Sequence, residues 1–527
     1  MVFCTSSEKS SSQPFVAVRR RADGATLFWR TESFDSRTSL GQAMSPLDRL
    51  VSQLFRSPGS ASAGTRQFLG RAASAHFALL ERAAADASQS PSVIGELPRL
   101  LLSQINRLPS RAARQRLLLD PAFIEGLHAA AAISPSLTAW HACVAEPSIA
   151  TICPATTPQH AHRLGNSLLC LRLREDSAWQ GELALRTDHF GRLRFPLSDW
   201  SIELLCRDTA PHSVLADESV TVTLDRHSIR FAVDRADNEN VLVVPRSDWL
   251  RMLIANDGAI DGSNMNYPSR HVMARMHFAG RIPGWRVLYD SMTFTNPAHA
   301  GITGGLTAAI LNAIRNSSPT IAAEFDRLLT SIRGWELPPA AYGTIQSFSD
   351  PTLPRVMNLN VSYADEDAAQ IDRFCFTWFG HELGHTKSYL IETILHVAGF
   401  SLTPAHGEYT QFVERYNRRL PIRTLLQIPY THLYEWSLLV AAMQNGFTAL
   451  PWLIDDDPIA FGDDLRAEIE EAFDRINQEV LLTDCGHVVL GRLWALSTEV
   501  LSHWKRLRGL RRPTSQETRS RPVEGTL

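Results

Sequence analysis

The chain has 527 residues and a formal net charge of −3, with 44% hydrophobic and 20% charged residues. That length is enough for several cores, and the balanced charge excludes the basic surface that nucleic-acid binding uses. No run reaches the roughly 18 apolar residues of a membrane helix, and the opening MVFCTSSEKSSSQPF lacks the apolar segment of a secretory signal. The seven cysteines are scattered, with no CxxC pair and no disulfide framework. A cytoplasmic protein with neither nucleic-acid nor membrane partners is expected.

Residues 1–43 are rich in Ser and Arg and lack helical periodicity, so a disordered tail outside the folded enzyme is expected. A helix pattern starts at Met44-Ser45-Pro46-Leu47, with Ser45 placed to cap and Pro46 in the first turn. Residues 44–160 read as a helical region broken at prolines. From 161 to 290 the texture changes to short, partly alternating runs: SLLCLRL, GELALRT, VTVTL, SIRFAV and NVLVV, with MARMHFAG and GWRVLYD extending the region. These read as antiparallel strands. Residues 291–504 read as a helical region that includes one strand, RVMNLNVSY, and 505–527 as a basic disordered tail. The glycines of GITGGLTAAILNAIRN precede a helix without the Lys-Ser/Thr of a phosphate loop. The expected class is α+β: a helical N-terminal region, a central antiparallel β-rich region and a helical, metal-binding C-terminal region.

The chemistry concentrates in DEDAAQIDRFCFTWFGHELGHTKSYLIETILHVAG, which reads as one long helix ending at Gly399. Within it, His381-Glu382-Leu383-Gly384-His385 places two imidazoles four residues apart on one face, a chelating arrangement. With 18 His in the chain, chance supplies on the order of 0.03 such motifs. Phe374 and Trp378 lie on the same face, so the metal is expected against the core. Gly380 and Gly384 remove side chains where another segment can approach. A third ligand is required. Ser388 and Ile391 stand where the metzincin pattern needs Gly and His. Glu408 and Glu435 are carboxylate candidates, and His432, in LLQIPYTHLYEW, is the favoured one because it opens another apolar helix. His396 and His406 read as ordinary helix or loop histidines.

These residues resemble a family: the HExxH-motif putative peptide-modification proteins associated with ribosomally made, post-translationally modified peptides. Its HExxH is commonly followed by a lysine, here Lys387, and later by a stretch similar to Leu425-Leu426-Gln427-Ile428-Pro429-Tyr430-Thr431-His432-Leu433. The likeness extends weakly over residues 67–445. It departs at Arg419-Leu420-Pro421-Ile422-Arg423, where the family often has Pro-Arg-Pro, and nothing beyond 445 has a counterpart. The resemblance implies His432 as third ligand and a precursor peptide as substrate. It also implies, for some members, iron(II) and 2-oxoglutarate chemistry that hydroxylates a side chain. On that reading the cosubstrate carboxylate needs a cation, with Arg423, Arg419 and Lys387 as candidates, and Glu382 handles protons. The bare motif suggests the alternative, a zinc hydrolase in which Glu382 is the general base. A precursor-peptide-binding protein with a non-catalytic site is the third reading.

Overall fold

The computed structural model describes residues 16–20, 26–30 and 44–510, with breaks at 61, 88–92, 132–160 (134, 137 and 140 excepted), 189–190, 207–213, 234–240, 256–271, 292–296, 336–346, 361–367, 405–409, 414–417, 446–457 and 480–481. The fold is α+β, with helical N- and C-terminal regions around antiparallel sheets. Within residues 1–43, β1 (Val16–Arg20) pairs antiparallel with β2 (Thr26–Arg30).

The N-terminal helices are α1 (Pro46–Leu54), α2 (Ser62–Ala87), α3 (Val93–Arg107), α4 (Arg111–Leu118) and α5 (Pro121–Ala131). Ser45 caps α1 by accepting from the Asp48 amide, with Pro46 in the first turn as the sequence indicates. Pro98, expected at a break, lies inside α3.

SLLCLRL is not a strand. It lies in α6 (Arg163–Glu175). Leu164, Leu168 and Leu171 join the main helical core, whereas Leu169, Cys170 and Leu173 join the core of the β-rich region. A helix wedged between two cores is apolar all round, and over a short run that looks the same as a buried strand.

Two antiparallel sheets follow. One runs in the order β3 (Gly181–Arg186), β6 (Ser219–Leu224), β7 (Ser228–Val233), β8 (Val241–Pro245). The other runs β4 (Arg192–Arg194), β5 (Trp200–Cys206), β9 (Val272–Phe278). Burial alternates cleanly along β6 and β7, as expected of a sheet with one face in a core. The short helix α7 (Arg246–Leu250) carries Trp249 into that core.

A mixed five-stranded sheet then crosses the expected boundary at 290. Its members are β10 (Gly280–Arg281), β11 (Leu288–Ser291), β12 (Ser331–Trp335), β13 (Ser347–Ser349) and β14 (Val356–Asn360), in the order β10-β11-β12-β14-β13. GWRVLYD therefore supplies a strand that pairs in parallel with β12 rather than extending the antiparallel sheets. β12 and β14 are also parallel, and β13 returns antiparallel on the outside of β14.

Alternation divides the side chains of this sheet. One register row, Ile332, Met357 and Ser349, faces the helical core. The next, Asp290, Arg333 and Asn358, faces the β-rich region. There Arg192 and Arg194 reach Asp290 at 2.5 and 2.9 Å, and Arg194 also reaches Asp188 at 2.7 Å.

The remaining helices are α8 (Pro297–Ser317), α9 (Pro319–Leu328), α10 (Ala368–Val397), α11 (Ile422–Gln444), α12 (Pro458–Glu479) and α13 (Asp484–Leu510), with the hairpin β15 (Thr410–Val413) and β16 (Arg418–Pro421) before α11. α10 is the single long helix expected, and Gly399 follows it at φ +83°, a conformation glycine adopts without strain. α11 packs along α10 and is covered on its other sides by α12 and α13. No described helix is long and apolar enough to cross a membrane.

Candidate metal centre

The site is made by α10 and α11, and two glycines set how closely these helices meet. A Cβ on Gly384 would stand 2.7 Å from the Thr431 Cα, and one on Gly380 would stand 3.1 Å from the Glu435 nitrogen. Only glycine permits such backbone proximity. This answers why two poor helix formers flank the histidine pair. The close approach brings His432 and Glu435, one turn apart on α11, against His381. The His381 and His432 ring centroids are 5.2 Å apart.

His432 does not open its helix as expected. α11 starts ten residues earlier and runs through Pro429, whose missing N–H interrupts the ladder one turn before His432. Apolar burial on both sides, with Leu425, Leu426, Tyr430, Leu433 and Tyr434 all in the core, holds the helix together across the proline.

His381 and His385 face each other, with Nε2 to Nε2 at 3.0 Å. Their other ring nitrogens are committed. His381 Nδ1 lies 2.5 Å from Glu435 Oε1, and His385 Nδ1 lies 3.0 Å from Gln427 Oε1. The Gln427 amide is oriented by its own Nε2, which donates to Glu392 Oε1 at 2.9 Å. Its oxygen must therefore face His385, and His385 Nδ1 must be the protonated nitrogen. Burial pulls the His385 pKa well below 6.5, and the neighbouring His381 pulls the same way, so His385 is neutral with its Nε2 lone pair free. With Nδ1 of His381 against a carboxylate, the short gap between the two Nε2 atoms has room for a cation, a proton or a metal ion. Two nitrogens each about 2.1 Å from one ion span about 3.0 to 3.4 Å between right-angle and tetrahedral geometry, which fits the observed separation. Both imidazoles thus carry the outer hydrogen bonds that orient metal-bound histidines, and the donor set fits a metal.

A second constellation shares His381. Donor atoms of His381, His432 and Glu435 all lie within 4.8 Å of one another. His432 Nδ1 is 3.6 Å from Glu435 Oε1, and its Nε2 is 2.7 Å from Glu468 Oε2 of α12, neither aligned as a hydrogen bond. Burial opposes charge on both His432 and Glu435, but Glu435 and Glu468 outweigh it for His432, and His381 and His432 outweigh it for Glu435. His432 is held up at about 10 and Glu435 down at about 2. His432 and Glu435 are therefore both brought to the site.

Glu382 is buried at the edge of the sheet. Its Oε1 accepts from the Ser347 hydroxyl at 2.8 Å and its Oε2 from the Ser349 hydroxyl at 2.5 Å, both from β13. Burial raises its pKa above 4.5, although His381 and the two hydroxyls oppose the rise.

Lys387, two residues beyond His385, projects about 200° round the helix. Its Nζ lies 2.7 Å from Glu324 Oε1 and donates to the Tyr434 hydroxyl at 2.7 Å, away from the histidine pair. Burial opposes its charge, but Glu324 outweighs that and its pKa rises above 10.5. The side chains of Arg419 and Arg423, at β16 and the start of α11, lie outside the described residues, as do those of Phe374 and Trp378. Glu408 and His406 also lie outside them. His396 is half-buried near the end of α10.

Sequence reasoning assigned no role to Gln427, Ser347, Ser349 or Glu468. Gln427 lies within the LLQ stretch, where nothing in the sequence marks it as the partner of His385. Glu468 lies in an acidic amphipathic helix where nothing separates it from its neighbours. No protein-family model matches the chain, and no curated protein matches it.

Proposed function

We propose that the chain is a metal-dependent enzyme, with a divalent ion held by the Nε2 atoms of His381 and His385 and completed from α11 by His432, while Glu435 holds Nδ1 of His381. The observation that carries this is the facing Nε2 pair, each imidazole locked through its Nδ1 by an acceptor. We further infer that it is an iron(II)- and 2-oxoglutarate-dependent oxygenase modifying a peptide side chain, as the resemblance implies. The ion supplies a Lewis-acidic redox centre with open positions.

The protein's residues support that choice through Glu382. A hydrolytic base must aim a lone pair at the water it deprotonates. Here both carboxylate oxygens accept serine hydroxyls from β13, which suits a group holding the site's shape and field more than one free to take a proton. Lys387 is engaged with Glu324, leaving Arg423 and Arg419 as candidates for the cosubstrate carboxylate. His381 and His385 orient the ion, Glu435 and Gln427 keep their tautomers, and the apolar residues Phe379, Leu383 and Leu433 exclude water behind them.

The alternative, a zinc hydrolase, draws on Glu435. Its carboxylate lies with His381 and His432 in a His-His-Glu group, a donor set that zinc accepts. Turnover decides between them. Enzyme, iron(II), ascorbate, 2-oxoglutarate and a precursor peptide should release succinate and add one oxygen to an uncleaved peptide. Cleavage with zinc alone, without succinate under iron, would make it a hydrolase.

A further inference from the structure

The resemblance offers Lys387 as a cosubstrate cation, yet its surroundings give it different work. Lys387 is buried, 3% exposed, and it bridges three helices. From α10 it reaches Glu324 on α9 and the Tyr434 hydroxyl on α11. The Tyr434 hydroxyl in turn donates to Glu324 Oε1 at 3.0 Å, closing a three-membered ring of polar contacts. The second oxygen of Glu324 accepts the Gly59 amide at 2.9 Å, tying in the α1–α2 connection. Tyr434 is adjacent to Glu435 and two residues from His432. The ring therefore sits on the far side of the α10–α11 contact from the histidines.

Two smooth helices meeting through glycines can slide and rotate, because glycine supplies no knob to fix the register. A turn of rotation about the α11 axis moves Glu435 off His381 Nδ1. Directional polar contacts on the opposite side resist that rotation. We propose that Lys387, with Glu324 and Tyr434, is a positioning cluster that fixes the rotation of α11 against α10, and thereby the reach of Glu435 and His432 to His381. The inference rests on the metal-centre reading above.

The test measures affinity for cobalt(II), by chelator competition and the visible ligand-field spectrum, on the full chain well below each variant's melting temperature. Wild type should bind one ion. K387M leaves Glu324 as a lone buried charge and should lower the melting temperature and weaken metal binding 10- to 100-fold, the range for outer-shell groups. The double variant K387M/E324Q removes the lone charge, so its melting temperature should recover while the metal affinity stays weak and the spectrum altered. Y434F removes one hydroxyl and keeps the ring. It should weaken metal binding several-fold even if K387M does not fold.

Recovery of both stability and affinity in the double variant would make the cluster merely structural and overturn the proposal. So would wild-type affinity in Y434F, or K387M binding metal normally while the KM for 2-oxoglutarate rises. A wild-type protein that binds no cobalt would instead remove the metal reading beneath it.

Discussion

Replacing Gly384 with alanine tests whether helix proximity builds the metal centre. The added methyl would stand 2.7 Å from the Thr431 Cα and 3.3 Å from its methyl group. Ordinary carbon contacts need about 3.5–4.0 Å, so α11 must withdraw by about 1 Å. Thr431 is backbone at that point, so no side-chain rotation relieves the clash. Overpacking of this kind costs about 1–3 kcal/mol, against a gain of about 1 kcal/mol from alanine's helix propensity. The net loss of stability should therefore be modest, at most about 2 kcal/mol. The effect on the site should be larger, because His432 and Glu435 ride on the displaced helix.

Metal affinity measured by chelator competition should fall 10- to 100-fold in G384A, the loss associated with misplaced outer-shell partners. Gly491 in α13 is the control, since a Cβ there meets nothing within 4 Å. G491A should raise stability by about 1 kcal/mol and leave metal binding alone. If G384A binds metal as wild type does and melts at the same temperature, the close approach is incidental and the account of the two glycines is wrong.

Three further outcomes follow from the same geometry. E382Q should retain its metal and lose less than about tenfold in succinate release, whereas loss of a general base costs about 10²–10⁴; kinetics of the peptide reaction reads the difference. Stripping the metal should lower thermal stability by an amount set by mass action, about 2.7 kcal/mol at a free ion concentration 100 times the Kd, seen as a metal-dependent melting temperature. His76 is buried with Nδ1 2.8 Å from the Leu118 carbonyl, and burial, only partly offset by that hydrogen bond, draws its pKa down to about 4. The unfolded state takes up a proton near pH 6.5 that the native state resists. His76's contribution is thus full above that pH and is lost as pH falls toward 4, by at most about 3 kcal/mol. Urea titrations between pH 7 and 4 should show a shallower acid limb in H76Q.

The site was legible where local pattern carries chemistry. Two histidines and a glutamate at helical spacing named α10 and its face, and the same stretch gave the helix stop at Gly399. His432 also stands out in the sequence, although its helix begins ten residues earlier than expected, at Ile422. That helix runs through Pro429, a residue that local rules treat as a break, amid apolar burial. α6 was misread for a related reason: apolar burial on all sides erases the period that separates helix from strand. What stayed hidden was relational. Ser347 and Ser349 matter only because β13 returns antiparallel beside α10, and Glu468 only because α12 covers α11. Gly380 and Gly384 were noted as gaps, but the segment that fills them was not identifiable from spacing.

The central claim is that His381 and His385 share one metal ion, and an anaerobic titration of iron(II) or cobalt(II) into wild type, H381A and H385A tests it most directly. The account predicts one ion per wild-type chain with a ligand-field spectrum containing imidazole nitrogen. It also predicts loss of stoichiometric binding in both variants, with helical content unchanged. Wild-type stoichiometry and spectrum in H385A would contradict it, since the ion would then be bound without the facing imidazole pair.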